Sequence, residues 1–405
     1  MQDYKVGFGS QLICNVTDRE LGLLGYIVID SAINGHSCGG LKMLPDVSIP
    51  ELQGLARVMT LKFSFLGMNE GGAKAGIVAD PSMPHEEKLA LLRTFAEIAS
   101  PLLKTHVYVP ASDMGTTNEE IRYMLESIGL KVRENAVQRK EEGGFYVGFS
   151  VFAGARAAAK YINLDLSQST LAVEGFGKVG SSVAKVFSQR GVKVVAISTF
   201  KGAIYEPDGL DVDRLIQIKN EVGDDVVNVY GKGKRIEKSE LLTLDVDILS
   251  PCARHHSINL ENVEKIRAKI ISAGANVPVT REAEQVLYRE KKLCLPDFIT
   301  NCGGILGSNM ENAGLSCQFI ENFIIQEIGN KISEIIEASG KKSMSPVEFA
   351  EIETEKKFTS VTTKSKQKTV KNRLFNIALI IYKRNLLPKW LTKLYAPRHF
   401  RARLG

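Results

Sequence analysis

The sequence has few cysteines and no long apolar run. Its six cysteines in 405 residues include no C-x-x-C pair and no spacing typical of a disulfide framework or a metal site, which predicts reduced thiols in the cytoplasm and no bound metal. The most apolar segment, residues 374–382, is too short to span a bilayer and is interrupted by Asn376. The chain begins without a basic stretch followed by an apolar one, so we expect no signal peptide.

Acidic residues are absent from Lys356 onward, where the chain carries 14 Lys and Arg residues. The rest of the chain, with 46 acidic residues against 38 basic ones, carries a net charge of −8. A basic tail over residues 386–405 can bind nucleic acid or an anionic membrane surface. The alternative, a solvated helix face or packing against an acidic neighbouring subunit, is the interpretation we favour. We therefore expect no nucleic-acid or membrane partner.

One glycine motif dominates the middle of the chain. The strand-like stretch Thr170-Leu171-Ala172-Val173-Glu174 runs into Gly175-Phe176-Gly177-Lys178-Val179-Gly180, which is followed by a helix-forming stretch. Such a strand, tight turn and helix start bring backbone N–H groups to a pyrophosphate. Because an apolar stretch at 192–199 completes a β-α-β unit, the motif predicts a site for a nicotinamide dinucleotide.

The end of that second strand carries information on the cofactor. The turn after Thr199 contains Lys201 and has no acidic residue before Glu206. A carboxylate there would bind a ribose 2′-hydroxyl, whereas Lys201 can pair with a 2′-phosphate. NADP or NAD is therefore expected, and the lysine favours NADP; the alternative is that Lys201 is only solvated.

Three charged residues upstream are candidates for chemistry. Lys62 belongs to a predicted helix with apolar residues at spacings of three and four between residues 52 and 66. Lys74 lies in the glycine-rich stretch Gly71–Ile77, which we predict to be a loop, and Asp113 follows a predicted short strand at 107–110. Burial or a second nearby lysine lowers the pKa of an amine toward the range of a base, and a lysine that stays charged suits a carboxylate.

Strands and helices alternate along the whole chain, which predicts an α/β fold. We expect an N-terminal substrate domain over residues 1–146 and a Rossmann-type dinucleotide-binding domain over 147–330, with a cleft between them. Helices over 331–405 would return to the first domain and end in the basic tail. A glycine turn with a strand behind it is expected over 35–43, and a hinge at 134–146.

Seven motifs in this order resemble the glutamate/leucine/phenylalanine/valine dehydrogenase family, over nearly the whole chain to about residue 385. They are Gly39-Gly40-Leu41-Lys42, Met59-Thr60-Leu61-Lys62, Gly71-Gly72-Ala73-Lys74-Ala75-Gly76, Pro110-Ala111-Ser112-Asp113-Met114-Gly115, the glycine motif at 175–180, Gly274-Ala275-Asn276 with Pro278, and Pro296-Asp297-Phe298 with Asn301-Cys302-Gly303-Gly304.

The resemblance implies reversible oxidative deamination of an L-amino acid to a 2-oxo acid and ammonia, with NAD or NADP. It also implies a homo-oligomer. Lys62 would bind the substrate α-carboxylate, Lys74 would activate water, and Asp113 would carry protons to and from the amino group. Asn276 and Asn301 would lie near the nicotinamide ribose and the substrate. The substrate pocket would be lined by Cys38, Gly39, Ala111, Ile305 and Ser308.

Two positions depart from the family pattern. Glutamate-specific members carry a lysine for the distal carboxylate where this chain has Cys38, whereas Ser308 is the polar choice of that branch. Val147 stands where a threonine normally contacts the nicotinamide amide, which removes a hydrogen bond worth about 1 kcal/mol. Leucine-, valine- or phenylalanine-type specificity, or a catalytically silent cofactor-binding regulatory protein, therefore remain alternatives to a glutamate dehydrogenase-like enzyme.

Overall fold

The computed structural model describes residues 9–132, 143–366 and 389–405. These residues fall into two compact units, the first made of 9–132 with 354–366 and the second of 143–353 with 389–405. Of the segments predicted above, residues 367–388 of the expected C-terminal helices and the hinge segment up to residue 142 lie outside the described residues. None of the helices in these ranges is both long and apolar enough to span a bilayer.

The first unit is built on a five-stranded sheet in the order β1-β2-β4-β3-β5. β1 and β2 form an antiparallel pair and β2 is antiparallel to β4, whereas β3 is parallel to both β4 and β5. The carboxyl ends of β3, β4 and β5 therefore meet at one edge of the sheet. The strands are β1 (Leu12–Asp18), β2 (Leu23–Ile29), β3 (Ser37–Met43), β4 (Gly71–Ile77) and β5 (Val109–Ser112).

Helices cover both faces of this sheet. On one face, Ala73, Ala75 and Ile77 of β4 join a core with Leu92 and Phe95. The opposite face of β4 meets the helix predicted around Lys62, which begins after the Ser48 N-cap. The helices are α1 (Ile49–Phe65), α2 (His85–Ile98), α3 (Ser100–Lys104) and α4 (Asn118–Ser127).

The predicted loop at Gly71–Ile77 is wrong, because this stretch is the fully buried strand β4. Its glycines allow the backbone of β4 to lie in close contact with other backbone segments of the same chain. A Cβ on Gly72 would collide with the Thr60 amide and the Ala56 carbonyl of α1, and one on Gly71 would collide with the Ser31 carbonyl. The glycine turn with a strand behind it, expected over 35–43, is present: Gly35 has φ +80°, and β3 follows from Ser37.

The second unit is built on a seven-stranded sheet in the order β12-β11-β10-β6-β7-β8-β9. The strands from β12 to β7 are parallel, and β8 and β9 add an antiparallel edge. This arrangement confirms the predicted α/β fold with a Rossmann-type second part. The strands are β6 (Thr170–Glu174), β7 (Lys193–Thr199), β8 (Gly202–Tyr205), β9 (Lys234–Ile236), β10 (Ile248–Pro251), β11 (Ile270–Ile271) and β12 (Leu293–Cys294).

The helices of the second unit pack on both faces of its sheet. α5 carries the aromatic residues Phe149 and Phe152, which pack with Phe187 and the Arg190 guanidinium. The helices are α5 (Gly143–Tyr161), α6 (Lys178–Ser188), α7 (Val212–Val222), α8 (Val226–Val229), α9 (Lys238–Leu242), α10 (Arg281–Arg289), α11 (Asp297–Thr300), α12 (Gly303–Asn312), α13 (Cys317–Lys341), α14 (Pro346–Lys366) and α15 (Lys389–Leu404).

The last helix, α15, packs against α13 of the same chain. The Arg401 guanidinium donates to Glu327 at 2.7 Å and lies 5.8 Å from the centre of the Phe323 ring. Lys331 donates to the carbonyl of Gly405. Part of the basic tail is therefore neutralised within one chain.

The close contact at Gly72 yields a test of the fold. Gly72→Ala forces α1 away from β4, so we expect the thermal unfolding midpoint to fall by about 5 °C, as overpacked cores do. The matched control is Gly54→Ala in α1, where a Cβ meets nothing within 4 Å. Removing a glycine from a helix interior raises the midpoint by about 2 °C. Calorimetry on both variants checks this, and equal midpoints would contradict the contact.

Candidate active site

The first unit brings Lys74 and Asp113 together as an ion pair. The Lys74 ammonium, on β4, donates a hydrogen bond to Oδ2 of Asp113, which follows β5. Lys74 is only 3 % exposed. A buried ammonium requires a paired anion, because an isolated one would lose most of its stabilisation by water. The pair is therefore a fixed feature of this face of the sheet.

Gly40 makes that pair geometrically possible. β3 lies between β4 and β5, and Gly40 is the residue of β3 that pairs with Ala111. A Cβ on Gly40 would stand 2.9 Å from Cβ of Asp113 and 3.0 Å from its carboxyl carbon. These separations are shorter than real Cβ contacts, so only glycine lets Lys74 and Asp113 meet across the intervening strand.

Several contacts keep Asp113 ionised. Burial would raise its pKa, but the charge and hydrogen bond of Lys74, the backbone N–H of Met114 and the charge of Lys42 together hold the pKa below its usual value. Lys42, at the end of β3, is itself buried and paired with Glu51 of α1. Asp113 is therefore an anionic proton acceptor beside a protonated amine.

Lys62 lies in the last turn of α1 and is 5 % exposed. Two residues earlier on the same helix, the Thr60 hydroxyl donates to Asp30 at 2.5 Å and lies 2.8 Å from the Ser31 hydroxyl. The Ser31 hydroxyl in turn accepts a hydrogen bond from the Gly72 amide at 3.1 Å. This buried network fixes α1 against the strand that carries Lys74.

The predicted pocket residues of the first unit lie on adjacent strands. Cys38 is half-buried on β3 and pairs with Gly72 of β4 and Val109 of β5. The next residue, Gly39, is buried, and its carbonyl accepts from the Tyr108 hydroxyl at 3.2 Å. Ala111 is half-buried on β5 opposite Gly40. Together with the ion pair, these residues form one continuous patch of the sheet.

In the second unit, the glycine motif forms a tight turn between β6 and α6. Gly175 has φ +84°, which favours glycine, and a Cβ on Gly180 would collide with the Gly175 carbonyl. A Cβ on Gly177 would meet nothing within 4 Å, and no side chain caps the amide groups at the start of α6. Unshared N–H groups beside open space are what a pyrophosphate requires, so these residues fit a dinucleotide.

The other three residues of the motif differ in what they can contact. Phe176 is fully buried beneath the Lys219 ammonium, so it supports the turn from inside. Lys178 is exposed at the start of α6. Val179 is half-buried, and a Cβ on Gly274 would come within 2.7 Å of its Cγ1.

Asn301 and Asn276 form a hydrogen-bonded pair. The Asn301 amide nitrogen donates to Oδ1 of Asn276 and to the Ala275 carbonyl, both at 2.9 Å. Asn301 is 5 % exposed, and its carbonyl oxygen is buried without a hydrogen-bond partner among the residues that the structure describes. A buried unpaired acceptor costs stability, so this oxygen fits a donor on a bound molecule.

Ile305 and Ser308 lie on one partly accessible face of α12. The opposite face of that helix is buried against Tyr146, because a Cβ on Gly303 or Gly307 would collide with Tyr146. Val147 is buried on α5.

Thr199 and Lys201 occupy the hairpin turn between β7 and β8. The Thr199 hydroxyl donates to the Asp224 carbonyl at 2.7 Å and accepts from the Lys201 amide. A surface cavity of about 370 Å³ adjoins this turn, and it is lined by Phe200, Lys201, Gly202, Arg235, Ile236, Glu237, Lys238 and Glu240. Sequence reasoning missed Arg235 and Lys238, although the basic run from Lys232 to Arg235 was a readable signal.

Comparison with known proteins gives matches over both units. Residues 11–129 match the family model "Glu/Leu/Phe/Val dehydrogenase, dimerisation domain", and residues 145–370 match "Glutamate/Leucine/Phenylalanine/Valine dehydrogenase". The chain is 36 % identical over 300 residues to a glutamate dehydrogenase of Thermotoga maritima, covering 71 % of each chain. It is 32 % identical over 322 residues to an NADP-specific glutamate dehydrogenase of Saccharolobus shibatae, covering 75 % of each.

Among solved structures, the fold is similar to that of the hetero-hexameric glutamate dehydrogenase from Thermus thermophilus. The TM-score is 0.75 at 22 % identity, with 89 % of this chain and 91 % of the other covered. At an identity of 22 %, this similarity is evidence for the fold alone.

Glu174, the last residue of β6, is a half-buried acid with a buried Oε2 atom, and sequence reasoning also missed it. Burial raises its pKa to about 7, against smaller opposing effects of a hydrogen bond with Ser257 and the charge of Lys238. Its Oε2 has no hydrogen-bond partner within the described ranges. The carboxylate is therefore disfavoured immediately before the glycine motif.

Glu174→Gln tests this. Because the folded-state pKa lies above the usual value of 4.5, the wild-type carboxyl stabilises the fold at low pH, and this contribution is lost as pH rises through about 7. Glutamine does not ionise, so the variant should gain about 3 kcal/mol relative to wild type between pH 5 and pH 8. Thermal unfolding of both proteins across this range measures the difference. A constant difference would contradict the raised pKa.

Proposed function

Because the chain belongs to the Glutamate/Leucine/Phenylalanine/Valine dehydrogenase family, we propose that it interconverts an L-amino acid and its 2-oxo acid plus ammonia, with NADP or NAD. The observation that carries the proposal is the buried ion pair between Lys74 and Asp113. A proton donor and an anionic acceptor in hydrogen-bond contact are what the proton transfers of this reaction require.

Three charged residues of the first unit, Lys62, Lys74 and Asp113, each have a role in this proposal. Lys62 binds the substrate α-carboxylate, since a buried ammonium gains most from an anionic ligand. Lys74 positions the water that attacks the imino carbon and, in its neutral form, accepts the proton that this water loses. Asp113 receives a proton from the substrate amino group and returns it, because its lowered pKa keeps it ionised before each transfer.

The second unit holds the cofactor, which supplies the hydride acceptor or donor when bound. The amide groups at Gly177 and the start of α6 hold the pyrophosphate, with Lys178 beside them. The unpaired oxygen of Asn301 accepts a hydrogen bond from the cofactor or substrate, and the hydrogen bond from Asn301 orients Asn276.

Two classes of side chain remain open for the substrate. Cys38 supplies no positive charge for a distal carboxylate, and its size and partial burial suit an apolar side chain of the leucine, valine or phenylalanine type. Ser308, on the accessible face of α12, is polar and instead favours glutamate. Ala111, in the first unit, is small, and Ile305, in the second, is apolar.

A panel of 2-oxo acids with ammonia and NADPH or NADH tests the proposed reaction. We expect reduced cofactor to be consumed with at least one of 2-oxoglutarate, 4-methyl-2-oxopentanoate, 3-methyl-2-oxobutanoate, phenylpyruvate and pyruvate.

Lys74→Ala should lower kcat/KM at least about 100-fold, because it removes the proton donor of the pair, while NADPH fluorescence still reports binding. Gly54→Ala is the matched control and should retain activity.

The catalytically silent alternative makes the opposite prediction. In that case wild type and Lys74→Ala would bind the cofactor equally and both would be inactive across the panel. Activity with 2-oxoglutarate alone would instead mean that a residue other than Cys38 recognises the distal carboxylate.

Gly40→Ala tests the geometry of the ion pair. The added methyl group pushes the Asp113 carboxyl away from Lys74, and a shift of about 1 Å in a catalytic group lowers kcat about 100-fold. Binding of NADPH or NADH should stay unchanged, since the glycine motif is untouched. A kcat within twofold of wild type would contradict the proposed positioning.

A homo-oligomer is also part of the proposal, as is a cytoplasmic location. The family model of the first unit is named for dimerisation, and the similar Thermus thermophilus structure is described as hetero-hexameric. None of the six cysteines, all of which lie in the described ranges, forms a disulfide.

A further inference from the structure

We propose that the buried ion pair between Lys42 and Glu51 sets the pH at which Lys74 gives up its proton, and that both are positioning residues for the reaction. The inference rests on the proposed function, because there Lys74 must be neutral when it accepts the proton of the attacking water. It deepens that function by adding a second charge pair beside the pair of Lys74 and Asp113.

Lys42 and Lys74 point to the same face of the first sheet, which is the face covered by α1. Lys42, on β3, pairs with Glu51 of α1. Lys74, on β4, lies between Ala73 and Ala75, which both belong to the core on the opposite face. Because side chains alternate along a strand, Lys74 points toward α1 as well.

The register of the two strands brings the lysines close together. Lys42 is the partner of Gly76, which is two residues beyond Lys74 on β4. Two residues of a strand span about 7 Å and neighbouring strands lie about 5 Å apart, so the two side chains begin about 8 Å apart. The Asp113 side chain lies over Gly40, two residues before Lys42. Its carboxyl group is therefore flanked by both positive charges.

Little water screens these charges. The side chains of Lys42 and Glu51 are 4 % and 5 % exposed, and charges interact more strongly away from water than at the surface. A buried ammonium requires an anion beside it, which Glu51 supplies. Glu51 lies in the first turn of α1, where the helix dipole stabilises a carboxylate. The pair is therefore a fixed source of charge beside the site.

The effect on Lys74 follows from the signs of these charges. Burial opposes the ionisation of Asp113, but Lys74 and, more weakly, Lys42 help to hold its pKa below the usual value. Lys42 thus competes with Lys74 for the same carboxylate, and a second positive charge favours the neutral form of an amine. Glu51 has the opposite sign, so the two members of the pair act on the proton of Lys74 in opposite directions.

The other titratable groups near this face are the same in every protein compared below. Tyr108 is fully buried, and burial, with smaller contributions from the charges of Cys38 and Asp113, raises its pKa well above the usual value. Lys62 lies at the other end of α1, about 16 Å from Glu51 along the helix axis. Differences between variants therefore report the charge that was changed.

The pH dependence of kcat/KM tests the proposal, with the full-length protein oxidising the amino acid that corresponds to its best 2-oxo acid. We expect kcat/KM to rise with pH to a plateau as Lys74 loses its proton. Lys42→Gln should move the midpoint of this rise up by about one pH unit, and Glu51→Gln should move it down by about one unit. Below both midpoints, each shift is a change of about 10-fold in kcat/KM.

Two further variants separate charge from structure. Lys42→Arg keeps the positive charge and should leave the midpoint within about 0.3 units of wild type. Lys88→Met breaks a similarly buried pair, in which Lys88 on α2 lies 2.7 Å from Glu120 on α4. This control should lower the thermal unfolding midpoint without moving the pH midpoint. Lys42→Gln and Glu51→Gln each test the sign alone, so one suffices if the other does not fold.

The outcomes separate this inference from the proposed function. Shifts in the same direction, or a loss of kcat/KM at every pH with an unchanged midpoint, would overturn the inference and leave the proposed function standing. If wild type is inactive across the panel, the proposed function fails. Carbamoylation of Lys74 by cyanate, which reacts with the neutral amine and is followed by mass spectrometry, then gives the midpoint. Shifts of opposite sign would support the effect of the pair, and equal midpoints would contradict it.

Discussion

The first unit depends on keeping one protonated amine and one carboxylate out of water. Lys74 is almost fully buried, and such a charge is tolerated only because Asp113 contacts it directly. The strand between them must lack a side chain at Gly40, and the turn after β5 must hold the carboxyl group in place through the Met114 amide. The order of strands, with β3 in the middle, is therefore inseparable from the chemistry of the site.

The second unit also relies on glycines, whose missing side chains leave the backbone accessible. There the accessible backbone suits a phosphate group. A phosphate group needs N–H donors with no competing side chain, and the turn at Gly175 and Gly177 provides them. Recognition of the far end of the cofactor instead requires side chains with a fixed charge. Near the end of β7, Asn228 and the Lys201 carbonyl hold the Arg235 guanidinium in one orientation.

The sequence predicted the α/β fold class and the strand, turn and helix around the glycine motif. It also singled out Lys62, Lys74 and Asp113 as candidates, because each of these features leaves a local pattern. It did not predict that Gly71–Ile77 is a strand, since four glycines in seven residues are typical of a loop, and only contact with α1 reveals why they are needed. Arg235 and Glu174 were missed for a related reason. Their roles arise from neighbours distant in sequence, such as Lys201 and Lys238, which periodicity does not bring together.

The glycines of the two neighbouring strands β3 and β4 limit how this face of the sheet can change over evolutionary time or in the laboratory. At Gly39 and Gly40 of β3 and Gly72 of β4, any larger residue displaces backbone or the Asp113 carboxyl group. A new substrate preference must therefore be acquired at the few positions whose side chains have space around them. In the first unit these are Cys38 and Ala111, so a library restricted to these two positions samples most of the accessible specificities on that side of the substrate.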